Sequence, residues 1–104
     1  QANIRLQKDL YVFSTYARSL GPEYILSTYE LNKPSIVFYA RRKVARIEKS
    51  TLCDIKEYSK TRTLIVITPR DKVYELKDEP LYLIEERGEY ALLSSAMEMP
   101  PLKR

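Results

Sequence analysis

Thr63-Leu64-Ile65-Val66-Ile67-Thr68 is the stretch on which the fold turns. Its interior is apolar at every position, with no alternation of polar and apolar residues. A strand covered on one face alternates, whereas one covered on both faces does not. The run is short, β-branched in the main and bounded by polar residues and Pro69, so it predicts a central strand of a parallel sheet. Such a strand demands helices on both faces, because each parallel neighbour is reached by a crossover.

The segments on the amino-terminal side supply those crossovers. Ser50 or Thr51 can cap a helix that turns Leu52, Ile55 and Tyr58 inward. Lys43 to Glu48 reads as a strand before it. Asn32 or Lys33 can cap a shorter helix running to about Ala40, with Pro34 in its first turn, where a missing N–H costs nothing. Tyr24 to Thr28 reads as the first strand. Leu6, Leu10, Phe13, Ala17 and Leu20, spaced four, three, four and three apart, make one stripe of a helix over residues 4–20. Gly21-Pro22 ends that helix, with glycine suited to a left-handed cap.

On the carboxyl-terminal side, Pro69 opens a short helical segment to about Leu76, and Asp78-Glu79-Pro80 is a turn. Leu81 to Glu86 and Tyr90 to Ser94 flank Arg87-Gly88-Glu89, a hairpin signal. Residues 95–104 read as a flexible tail. The order predicts one α/β domain over residues 1–94. Its expected form is a three-layer αβα sandwich, with a mostly parallel, Rossmann-like sheet and an antiparallel edge hairpin.

Length and composition agree with a single folded domain: 104 residues, 44% hydrophobic and 31% charged. Apolar runs such as Leu64 to Ile67 are far below the ~20 residues of a spanning helix. No leader is visible and the chain begins at Gln1, so it reads as a processed product or a piece of something longer. Asn and Gln are scarce beside Lys, Glu, Arg, Ile and Tyr, a bias found in proteins of very hot environments. A net charge of +4 favours anionic partners.

Several chemistries are excluded outright. Without histidine there is no Ser-His-Asp or Cys-His arrangement. One cysteine, Cys53, leaves no internal disulfide, and with no histidine beside it the sequence argues against a zinc site. Gly21 and Gly88 are too few for a GxGxxG fingerprint or a P-loop. No cofactor and no catalytic residue is expected. Glu30 lies at the carboxyl end of the first strand and reads as a loop charge. Glu85 and Glu86 are adjacent on a strand, point to opposite faces and cannot act as a pair. Cys53 reads as a small residue, buried or half-buried.

The functional candidates are the basic residues Lys33, Arg41, Arg42, Lys43 and Arg46, with Phe38 and Tyr39 directly before the main cluster. Rings beside cations suit a phosphate-bearing ligand, a membrane interface or single-stranded nucleic acid. Arg41 to Lys43 precede the second strand, which puts them on the amino-terminal edge of the sheet, opposite the usual ligand crevice. The bland alternative is a solvated loop with Phe38 in the core.

The stretch Glu30 to Val44, and within it Pro34-Ser35-Ile36-Val37-Phe38-Tyr39-Ala40-Arg41-Arg42-Lys43-Val44, resembles a segment of a family of membrane glycosyltransferases. These are the dolichyl-phosphate-mannose protein mannosyltransferase-like enzymes, among them the bacterial aminoarabinose transferases that act on lipid A. Their extracytoplasmic tail carries a Pro/Ser-x-x-Phe-Tyr-x-x-Arg-x-Val pattern after the first strand of a small α/β domain. The order of elements follows the same tail over about residues 4–94.

The resemblance implies a periplasmic or extracellular domain that caps the membrane region of a larger enzyme. That enzyme would take a sugar from a polyprenyl-phosphate carrier, with its catalytic acids outside this chain. Lys33, Tyr39, Arg41, Arg42, Lys43 and Arg46 would then contact phosphate groups, the lipid headgroup layer or the membrane domain. Two other readings compete: a free-standing binding or regulatory module for an anionic partner, and, less favoured, a small nucleic-acid-binding protein.

Overall fold

A computed structural model describes residues 8–102. The predicted helix start at residues 4–7, including Leu6, and the basic pair Lys103-Arg104 lie outside the described residues. The first described helix, α1, spans Lys8–Ser19 and buries Leu10, Phe13, Tyr16 and Ala17. Strand β1 follows at Tyr24–Tyr29, helix α2 at Pro34–Ala40 and strand β2 at Val44–Ile47. A 3-10 turn at Lys49–Thr51 leads into helix α3, Cys53–Ser59. Strand β3 occupies Thr63–Pro69, and a second 3-10 segment runs Arg70–Leu76. Strands β4, Tyr82–Arg87, and β5, Tyr90–Ser94, complete the set.

The five strands form one mixed sheet in the order β2-β1-β3-β5-β4. β1 pairs in parallel with β2 on one side and β3 on the other. β5 is antiparallel to both β3 and β4. The hairpin turns so that β5 lies inside and β4 at the edge, and the side chains explain why. Ala91 to Ser94 are all buried, as an inner strand requires. β4 carries Glu85, Glu86 and Arg87 and has an irregularity between Leu83 and Glu85; charges and bulges blunt an open edge.

The central position read from residues 63–68 holds: Leu64, Ile65, Val66, Ile67 and Thr68 are all buried. The run splits by parity between two cores. Ile65 and Ile67 pack with Leu10, Phe13 and Ala17 of α1, Ile36 and Ala40 of α2, Leu26 and Leu92. Leu64 and Val66 pack with Ile55 of α3, Leu76, Tyr29, Ile47, Ala91 and Leu93. Polar side chains within the sheet are satisfied by neighbouring strands. Ser27 Oγ donates to the Ile65 carbonyl at 2.8 Å, and Thr68 Oγ1 to that of Tyr29 at 3.0 Å.

Two local expectations change. Gly21 does not take the left-handed conformation; among glycines only Gly88 has a positive φ, +54° in the β4–β5 turn. The end of α1 is closed instead by a side chain from elsewhere, described below. Neither Ser50 nor Thr51 is the cap that opens α3. Glu48 precedes the 3-10 turn, and its N–H donates to Thr51 Oγ1 at 2.9 Å. After β5 the chain returns to α1, where Tyr16 donates to the Pro100 carbonyl at 2.6 Å and Met99 and Leu102 pack on the first core.

Candidate functional site

α2 is a helix of seven residues whose inner side is Ile36 and Ala40. Among the described residues, none covers its other side. Phe38 is 73% exposed and Val37 53%, and Tyr11 of the adjoining α1 is 51% exposed. Tyr39 bridges the two helices, edge-on to Tyr11 at 5.0 Å between ring centroids and to Phe38 at 5.4 Å. Phe38 is therefore not a core residue. A groove of about 620 Å³, lined by Tyr11, Tyr16, Pro100 and Leu102 among others, also includes Tyr11 in its wall. Large contiguous apolar surface on a small domain marks a contact site.

Arg41 ends α2 in the left-handed region, at φ 52°, with its N–H on the Val37 carbonyl and its side chain in solvent. Arg42 has another task. Nη1 donates to the carbonyls of Ala17, at 2.7 Å, and Leu20, at 3.0 Å. Nη2 donates to those of Gly21, at 3.1 Å, and Tyr24, at 2.6 Å. These carbonyls lie at the end of α1 and in the following turn; those of Ala17 and Gly21 also accept from the backbone N–H groups of Leu20 and Tyr24, both at 3.2 Å. Arg42 is thus a structural clamp with both terminal nitrogens occupied, and it cannot use them on a phosphate.

The six residues predicted as a contact set do not form one surface. Lys33 stands before α2 at the carboxyl end of the parallel strands, in a cleft with Arg70, Asp71, Gly88 and Glu89. Arg46 is exposed on β2 and lies 3.6 Å from Glu48. Tyr39 and Arg41 belong to the α1–α2 face. Lys43 lines a cavity of about 710 Å³ on the amino-terminal edge, with Arg42, Tyr24, Tyr58, Thr61 and Arg62. Arg62, Tyr24 and Tyr58 were not among the candidates. Parallel strands all begin on one edge, so the residue just before β3 belongs beside the residue just before β2. That topological rule would have found Arg62.

The carboxylates that might do chemistry are engaged. Glu30 Oε2 accepts from the backbone N–H of Lys49 at 2.7 Å, tying β1 to the turn after β2. Glu85 pairs with Arg87 at 3.1 Å and Glu86 with Arg70 at 3.3 Å. Buried Tyr29 donates to Glu75 Oε1 at 2.7 Å, and Lys72 lies 3.5 Å from the other oxygen of that carboxylate. Burial, with the bond to Glu75, pushes the Tyr29 phenol far above its ordinary range. The Tyr29 hydrogen bond holds the Glu75 carboxyl below its own. A phenol that will not ionise and a carboxylate that will not protonate brace each other; they are poor acid–base catalysts near neutrality.

Cys53 is exposed, not buried, because α3 turns Ile55 inward and Cys53 outward. Among the described residues, no group of His, Cys, Asp or Glu could hold a metal, and no helix is long and apolar enough to cross a membrane. The chain matches no family model, and no curated protein or solved structure matches it.

Proposed function

We propose that this chain is the accessory domain of a membrane glycosyltransferase that takes a sugar from a polyprenyl-phosphate donor. It would sit on the extracytoplasmic face and cap the membrane-embedded catalytic region of the same parent chain. We read its fold at the finer level as a three-layer αβα arrangement with a Rossmann-like parallel half in β2, β1 and β3.

The observation that carries the reading is the uncovered face of α2. Phe38 and Val37 point outward beside Tyr11, while Arg41, unpaired among the described residues, follows at the helix end. Aromatic rings with an adjacent cation suit a partner that is apolar within and anionic at its surface, as a membrane protein at the headgroup layer is. Of the six residues first considered, Tyr39 and Arg41 stay in this role, Lys33, Lys43 and Arg46 lie away from it, and Arg42 is spent on the fold. The domain itself would contribute no catalytic residue.

The coding sequence upstream of the Gln1 codon tests this. Several apolar runs of ~20 residues, with acidic residues in the first loop between them, are expected. A start codon or a simple leader directly before Gln1 would sink the reading. The second reading, a free-standing module for an anionic partner, would then stand in its place. The cavity around Lys43 and Arg62 favours that one.

A further inference from the structure

The amino-edge cavity differs from the others in its charge. Arg42, Lys43 and Arg62 line it and no carboxylate does. In the cleft at the opposite edge, Lys33 and Arg70 are balanced by Asp71 and Glu89. The cavity along α1 has no charged wall at all. Glu23 folds back over Gly21 and is not a wall of this cavity; it lines the adjoining cleft, which shares Thr61 and Arg62.

We propose that this cavity is a binding site for an organic phosphate, with the phosphate held between Lys43 and Arg62. Both side chains are exposed and neither makes an ion pair or side-chain hydrogen bond among the described residues, so their donors are free. Arg42 has its terminal nitrogens on backbone carbonyls, but its positive charge still faces the site. Three cations in a wall that holds no carboxylate repel one another, and an anion relieves that repulsion. Guanidinium and ammonium together match a tetrahedral phosphate, one as a planar fork and one as a point charge.

The organic part of the ligand follows from the rest of the wall. Tyr24, Tyr58, Ile25 and Val44 offer apolar surface, and about 710 Å³ is far more room than a bare phosphate fills. The Tyr24, Tyr58 and Thr61 hydroxyls can donate to it. α3, whose end adjoins the cavity, is only seven residues long, so the negative end of its dipole opposes an anion weakly. The site is assembled from four separate places in the chain, and it does not rest on the glycosyltransferase reading.

The test is a titration of the ¹⁵N-labelled 104-residue chain at constant ionic strength with phenyl phosphate, inorganic phosphate and phosphatidylglycerol vesicles. Saturable shifts at Tyr24, Val44, Thr61 and Arg62 with phenyl phosphate, weaker with inorganic phosphate, are expected. Lys43→Ala and Arg62→Ala should each weaken binding by about 10- to 100-fold, while Arg41→Ala, outside the cavity, should not. Binding to vesicles alone, lost in the same two variants, would assign the phosphate to a lipid headgroup. No saturable shift with any probe, or equal shifts in Lys43→Ala and Arg62→Ala, would overturn the proposal. Both substituted side chains are exposed, and thermal melts of the two variants confirm that the fold persists.

Discussion

Nη1 of Arg42 donates to the carbonyl of Ala17 at 2.7 Å, so a residue just before β2 closes a helix 25 positions earlier in the chain. The same guanidinium also holds Leu20, Gly21 and Tyr24. Arg42→Ala would take the charged donor from all four carbonyls, of which those of Ala17 and Gly21 keep a backbone N–H. We expect a loss of about 2–4 kcal/mol. Arg42→Lys should recover only part of it, because an ammonium cannot fork to four acceptors. Urea midpoints of the three proteins check this.

The Tyr29–Glu75 bond predicts a pH profile. The Glu75 carboxyl lies below its ordinary 4.5 when folded, so its stabilising effect is present above that value and is lost as pH falls through the folded one. Tyr29 is raised above its ordinary 10.0, so its effect is complete below that value and is lost as pH rises further. Glu75→Gln should flatten the acid limb, and Tyr29→Phe the alkaline limb at a cost of about 1–2 kcal/mol near neutrality. Denaturant midpoints across the pH range measure both.

Gly88 should resist substitution. Its φ of +54° suits glycine, and a Cβ there would run into the Asp9 carboxylate. Gly88→Ala is expected to cost about 1–3 kcal/mol. Adding Asp9→Ala removes the collision but not the backbone strain. The double variant should therefore lose less than the sum of the two single losses.

Neighbouring residues on α2 should behave oppositely. Ile36 is 1% exposed within the first core and Phe38 73% exposed. Ile36→Ala should cost about 2–4 kcal/mol. Phe38→Ser should change stability by about 0.5 kcal/mol or less. A large loss in Phe38→Ser would mean that the ring is held by contacts within the domain. Thermal melts of the two variants decide the point.

The element order was legible because its signals are local. The unbroken apolar run at residues 64–67 marks a strand buried on both faces, and the five-stranded sheet has it at the centre. Pro34 and Pro69 adjoin the helical segments that they were read to open. Gly88 punctuates the hairpin. The partner of β3 within that hairpin was less legible, since either strand can reach it. The deciding factor is that Ala91 to Leu93 tolerate full burial and Glu85 to Arg87 do not.

The candidate contact set was legible only as a list of charges. Arg41, Arg42 and Lys43 are adjacent and chemically alike in sequence, yet one faces solvent, one closes a helix and one lines a cavity. By itself the sequence determined the strands, the helices and the absence of histidine chemistry, because periodicity, turn residues and composition act over a few neighbouring positions. Only the tertiary structure decided which cations are free. The carbonyls that occupy Arg42 come from residues 17–24, and the arginine that joins Lys43 comes from position 62. Those distances are set by how the sheet folds, and no local rule contains them.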